Sequence, residues 1–169
     1  LNALVLRQET RGIQVLDATD SAVFLRVAAG ENWHELVQWS LQKGYFGLES
    51  LALIPGKVGA APIQNIGAYG VELQSVLQQV HAIQIADDVS VALDRDACRF
   101  GYRDSIFKHA LKDQLVITAV DLQLSLRPNV QVTYPELAEM LERQQLVEPA
   151  PQAVFDAVVS IRRGKLPDP

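Results

Sequence analysis

The segment Phe100–Lys108, FGYRDSIFK, sets an aromatic hydroxyl (Tyr102), a permanent cation (Arg103) and an anion (Asp104) in consecutive positions after Gly101. An arginine held beside an apolar site can grip a carboxylate or phosphate through two parallel N–H donors. It can also stabilise negative charge that develops in a transition state. Gly101 is expected to permit an unusual backbone turn ahead of it. The plainer reading is a helix start, with Asp104 as cap, Arg103 in a surface pair and Phe100 and Phe107 in the core. Spacing alone favours the plainer reading. Tyr134, in VTYPEL, reads on composition as an aromatic at a strand-to-helix junction. Arg162, Arg163 and Lys165 read as cations that complement the dipole at the end of a last helix.

A second stretch could bring backbone close to a ligand. Leu51–Leu73, LALIPGKVGAAPIQNIGAYGVEL, carries Gly56, Gly59, Gly67 and Gly70, with Gly47 just upstream, and Pro55 and Pro62. Its only formal charges are Lys57 and Glu72. A solvated loop would be more polar, and a core strand would hold fewer glycines. Apolar, glycine-punctuated backbone suits close approach to a ligand, a cofactor or a packed sheet.

Common nucleotide and nucleophile motifs do not fit. Gly56-Lys57 resembles the end of a phosphate-binding loop, but Val58 follows and the earlier glycine is missing. Gly67-Ala-Tyr-Gly70 is too short for the dinucleotide fingerprint, and no Gly-x-Ser-x-Gly nucleophile occurs. Fifteen basic against twenty acidic residues give a net charge of −5, without a basic cluster for a nucleic-acid backbone. Cys98 has no cysteine to pair with, and His34, His81 and His109 are far apart, so no metal site is expected. No apolar run is long enough to span a bilayer, and a reducing, cytoplasmic setting without a membrane partner is the default expectation. The apolar start at Leu1 and the LPDP ending suggest an internal piece of a longer protein.

The elements that would position these residues read clearly in places. Ala3–Arg7, Ile13–Asp17 and Ala22–Ala28 are expected as short antiparallel strands. Trp33, Leu36, Val37 and Leu41 recur at helical spacing, which predicts a helix over Trp33–Lys43 with Gly44 at its C-terminal cap. Val76–Ala86 and Val89–Leu93 predict a hairpin around Asp87-Asp88. Asp94–Cys98 predicts one turn capped by Asp94. Gln114–Leu126 reads as a long strand, and Pro135–Arg143 and Pro151–Arg163 as helices. The pattern favours α+β over a doubly wound sheet, and with nearly half its 169 residues apolar the chain can bury one ordinary core or two small ones.

Five segments together resemble one family. GENWHEL (Gly30–Leu36), Leu51–Leu73, FGYRDSIFK, TYPEL (Thr133–Leu137) and RRGKLPDP (Arg162–Pro169) occur in the order found in the UDP-N-acetylenolpyruvoylglucosamine reductase family. The resemblance runs through essentially the whole chain. It implies the second subdomain of a two-part FAD-binding module of the vanillyl-alcohol-oxidase-like type, an antiparallel sheet with flanking helices. It implies FAD and NADPH as cofactors and a UDP-sugar substrate. By match to the family's motifs, Ile54, Pro55, Gly56, Gly59, Ala60, Ile63, Gln64, Asn65, Gly67 and Tyr69 would line the flavin. Arg103 would be the catalytic arginine and would also contact substrate. Tyr102, Tyr134 and Lys165 would belong to the substrate or nicotinamide site.

The same resemblance implies residues 1–127 as a partial FAD-binding subdomain and 128–169 as a helical connection toward a substrate domain. The family's Gly-Gly-Ser-Asn pyrophosphate loop would precede Leu1. Its Gly-Asn-Ala-Gly-Ser-Phe-Phe segment, with a proton-donor serine, and a late glutamate would follow Pro169. Ala60-Ala61 stands where many members carry small hydroxyl residues. The 169 residues alone are therefore expected not to turn over, and a monomer is favoured. Two other readings stay open: a non-catalytic module of this fold that binds a nucleotide or partner, and an FAD enzyme of this fold acting on another substrate.

Overall fold

Alternation along Ala22–Ala28 (β2) turns Val23, Leu25 and Val27 to one face, where all three are buried. The computed structural model describes residues 5, 7–130, 132–146 and 148–165. Strands β1 (Ile13–Ala18), β2, β5 (Leu77–Gln84), β6 (Ser90–Asp94) and β7 (Leu115–Ser125) form an antiparallel sheet in the order β1-β2-β7-β5-β6. The long β7 runs through its middle and adds Val120, Leu122 and Leu124 to the buried face. Between β2 and β5 the chain makes a small hairpin of β3 (Gly67–Ala68) and β4 (Val71–Glu72).

Helix α1 (Trp33–Gln42) begins where the Asn32 side chain accepts the Glu35 N–H at 3.1 Å. It ends before Gly44, whose φ of +73° continues the chain in the left-handed region. Trp33 is buried in the core, and its indole N–H donates to the Leu51 carbonyl at 3.0 Å. Helices α2 (Pro135–Arg143) and α3 (Pro151–Arg163) each start on a proline, whose missing N–H costs nothing in a first turn. Leu137, Leu141, Val154, Ala157 and Val158 join the same core as the sheet.

The α+β architecture is therefore as expected, and the strand and helix limits fall within two residues of those read from periodicity. The strand expected at Ala3–Arg7 lies outside the described residues except for Val5 and Arg7, which are in no strand. Asp94 caps a single turn, its carboxylate accepting the Ala97 N–H at 2.8 Å. No described helix is long and apolar enough to cross a membrane.

Candidate functional site

The glycine-rich stretch is docked rather than free. Val58 N–H donates to the Glu31 carbonyl and Gly59 N–H to the Ala29 carbonyl, both at 2.9 Å, pinning Lys57–Gly59 to the β2–α1 junction. A Cβ on Gly59 would lie 2.6 Å from the Ala29 Cβ, so packing against β2 requires glycine there. Val58–Gln64 then coils as a 3₁₀ segment that ends at Asn65 in the left-handed region. The β3–β4 hairpin follows, and its two loop residues, Tyr69 and Gly70, have φ of +51° and +84°. Positive φ at both is what a tight two-residue hairpin turn demands.

The FGYRDSIFK segment folds against this stretch. Gly101 and Asp104 exchange both backbone hydrogen bonds, at 3.0 and 3.2 Å, and make Tyr102-Arg103 the apex of a narrow turn. The positive φ of that turn falls on Arg103, at +54°, and not on Gly101 as its residue type suggested. The cap differs too. Ser105, not Asp104, accepts the Phe107 N–H at the start of the short 3₁₀ turn Ile106–Lys108. The Ser105 hydroxyl also donates to the Ile63 carbonyl at 2.6 Å, stapling the two segments together. Asp104 instead meets His109 at 2.8 Å, and that hydrogen bond holds its carboxyl below the usual range.

Arg103 is half-buried and in no ion pair among the described residues. One guanidinium nitrogen, Nη2, donates to the Gly67 carbonyl, and the group lies 5.1 Å over the Tyr102 ring. Its Nη1 is buried and has no hydrogen-bond partner among the described residues. A buried N–H without a partner is costly.

A cleft of about 640 Å³ opens beside it, walled by Gly67–Glu72, Tyr102, Arg103, Tyr134, Glu136, Arg162 and Lys165. Tyr69 and Tyr134 meet edge to face at 5.3 Å. Burial raises the Tyr69 phenol above its ordinary pKa. Lys165 pairs with Glu136 at 2.6 Å, which raises its ammonium pKa and keeps the charge at the rim. A second, more apolar groove of about 580 Å³ runs along Ala29, Lys57, Gly59, Ala60, Ile63, Phe107 and Leu115–Ile117. Ile63 and Val116 are each 41% exposed on it, an apolar surface open to a ligand.

The residues expected to act on substrate, Tyr102, Arg103, Tyr134 and Lys165, thus share one cleft with Gly67 and Tyr69. Gly59, Ala60 and Ile63 line the apolar groove instead. Ile54, Pro55, Gly56 and Gln64 line neither space, and the fully buried Asn65 spends its side chain on protein partners. Sequence reasoning passed over Arg162, which it assigned to a helix dipole. Arg162 reaches the same cleft, and its Nε is buried without a partner among the described residues. Glu72 and Glu136 were also missed; their charge alone carried no signal.

Comparison with known proteins bears on the family and the fold. Residues 2–90 match the family described as FAD binding domain. The chain is 50% identical over 165 residues to the UDP-N-acetylenolpyruvoylglucosamine reductase of Escherichia coli O157:H7, covering 98% of this chain and 47% of that protein. It is 48% identical over 170 residues to that of Paraburkholderia phymatum, covering 99% of this chain and 49% of the relative. A solved structure of UDP-N-acetylenolpyruvylglucosamine reductase from Thermus caldophilus superposes with a TM-score of 0.61 at 25% identity, over 84% of this chain and 44% of that one. The chain spans about half the length of the curated relatives it matches. With the match extending over more than half of its length, the chain belongs to the FAD binding domain family.

Proposed function

We propose that this chain is the flavin-facing middle of an FAD-dependent, NADPH-driven reductase. The enzyme would reduce the enolpyruvyl group of UDP-N-acetylglucosamine enolpyruvate to UDP-N-acetylmuramate, in peptidoglycan precursor synthesis in the cytoplasm. The observation that carries the reading is the Arg103 guanidinium. One of its nitrogens is anchored on Gly67, and the other is buried without a partner among the described residues, beside a cleft that also holds Tyr134 and Lys165. A carbon of an enolpyruvyl group accepts hydride readily only if charge can spread into the adjoining carboxylate. A fixed guanidinium against that carboxylate lowers the barrier by stabilising the enolate-like state.

The residues present fit a flavin. The apolar groove offers flat aliphatic surface at Ile63, Val116 and Ile117, with the cations Lys57, Lys108 and Lys112 at its margin. When bound, FAD supplies the hydride chemistry, and the protein supplies orientation and field. In this reading Tyr134 and the Glu136-supported Lys165 hold the substrate's polar end, Arg103 faces its carboxylate, and Gly59, Ala60 and Ile63 line the cofactor. Helices α2 and α3 lead toward a substrate domain. Neither the Gly-Gly-Ser-Asn loop nor the Gly-Ser-Phe-Phe segment occurs within the 169 residues. Turnover therefore needs a longer polypeptide.

The test is the whole gene product purified without added cofactor. It should carry flavin absorbance and oxidise NADPH when the enolpyruvyl sugar nucleotide is present. Flavin retained without hydride transfer to that sugar would point to another substrate, and absence of both to a non-catalytic module of the same fold.

A further inference from the structure

Asn65 is 0% exposed and its backbone is left-handed, with φ +42° and ψ +63°. Its side-chain amide is committed on three sides. Nδ2 donates to the Gly101 carbonyl at 3.0 Å and to Glu72 Oε2 at 3.0 Å, and Oδ1 accepts the Gln74 N–H at 3.0 Å. Gln74 Nε2 closes the network by donating to the same Glu72 oxygen at 2.6 Å. Two donors and an acceptor in so small a volume are what asparagine supplies; aspartate would turn lone pairs toward the Gly101 carbonyl and the Glu72 carboxylate. Asparagine also tolerates the left-handed backbone better than most residues.

The carbonyl that Asn65 holds is no ordinary one. Gly101 forms one leg of the two-bond turn that carries Arg103 at its apex. Arg103 reaches back to the Gly67 carbonyl, two residues along the chain from Asn65. A Cβ on Gly67 would lie 2.6 Å from Arg103 Nη1, so the guanidinium fills the space that the glycine leaves. Asn65 therefore ties both supports of one cation, the turn that carries it and the hairpin that receives it.

We propose that Asn65 is a positioning residue for Arg103: it locks the Gly101–Asp104 turn to the β3–β4 hairpin so that the guanidinium is held fixed in the wall of the cleft. This assigns Asn65 a role other than lining the flavin, and it rests on the reading of Arg103 given above. A mispositioning of about 1 Å at a reacting group costs on the order of 100-fold in rate.

The experiment compares Asn65→Ala, Asn65→Asp, Arg103→Ala and the double variant Asn65→Ala/Arg103→Ala in the whole flavin-loaded protein. Either Asn65 variant should lower kcat with the enolpyruvyl substrate by about 100-fold. Flavin content and the rate of flavin reduction by NADPH should stay within about twofold of wild type. The double variant should be no slower than Arg103→Ala within about twofold, because both changes act through one group. Independently of turnover, NMR of arginine-labelled protein should resolve separate Arg103 Nη signals that collapse to an average in Asn65→Ala and in Asn65→Asp, which keeps the side chain's volume but reverses the polarity of its contacts. Wild-type substrate turnover in both Asn65 variants, multiplying losses in the double variant, or loss of flavin in Asn65→Asp would overturn the proposal. Full turnover in Arg103→Ala would instead remove the Arg103 reading, while the NMR comparison would still report whether Asn65 orders that side chain.

Discussion

Glycine roles separate sharply once the backbone is in view. Gly56 has φ +119°, and a Cβ there would meet nothing within 4 Å, so its requirement is conformational and not steric. Gly56→Ala should destabilise the chain by about 1–3 kcal/mol, read as a lowered Tm, because an L-residue is strained in that region. Gly101 has no positive φ, and its added Cβ would sit at an ordinary 3.6 Å from the Asp104 Cβ. Gly101→Ala should therefore shift stability by less than about 0.5 kcal/mol in the same melts. The sequence invites the opposite expectation, since a glycine ahead of Tyr-Arg-Asp looks like the turn-former. Which residue of a tight turn takes the strained φ depends on the pairing of its legs, here the Gly101–Asp104 exchange. Composition carries no record of that.

Among elements, α1, the loop at Leu53 and α3 meet at His34. Its Nδ1 accepts the Leu53 N–H at 3.2 Å, and its ring stacks on Phe155 at 5.6 Å with 3° between the planes. Burial lowers its pKa most, Arg163 adds to this and Glu35 opposes it. The neutral ring is the stabilised form, since protonation would place a proton on the accepting nitrogen. A depressed folded pKa means that this contribution is complete above the ordinary value of 6.5 and is lost as pH falls through the folded-state value. Melts from about pH 8 to about pH 5 should show wild type losing more stability than His34→Phe, which keeps the stack and has no ring nitrogen to protonate. At the alkaline end the variant should be the weaker by about 1 kcal/mol, the worth of one hydrogen bond. If the two pH profiles ran parallel, His34 would not be the titrating group. The helices themselves were legible because Trp33, Leu36, Val37 and Ser40 lie on the buried face of α1, and Val154, Ala157, Val158 and Ile161 on that of α3. The 3₁₀ run Val58–Gln64 was not legible, because docking on β2 and not residue propensity selects it.

Across the whole molecule, the sheet's second face is joined by charge. Arg26 on β2, Asp121 on β7 and His81 on β5 meet across three neighbouring strands, with both Arg26–Asp121 contacts and the His81–Asp121 contact at 2.8 Å. Burial pushes the Asp121 carboxyl up, but hydrogen bonds from Arg26 and His81 outweigh it and the pKa is lowered overall. Asp121→Asn should cost about 1–3 kcal/mol in urea unfolding at neutral pH, where a hydrogen-bonded charged group is lost. Because the carboxyl pKa is depressed, the stability it contributes is present above about pH 4 and fades on acidification, so variant and wild type should converge in acid. A constant difference down to low pH would put the effect in packing instead. The five strands of the main sheet, the three helices, the α+β class and the family motifs were determined by local sequence, because periodicity, caps and turn residues act over a few positions. Tertiary structure alone decided that β7 lies between β2 and β5, that Tyr102, Arg103, Tyr134 and Lys165 face one cleft, and that Asn65 serves the protein's own backbone. The physical reason is that each of these depends on hydrogen bonds and packing between residues tens of positions apart, and such contacts follow from the assembled sheet and not from any one segment.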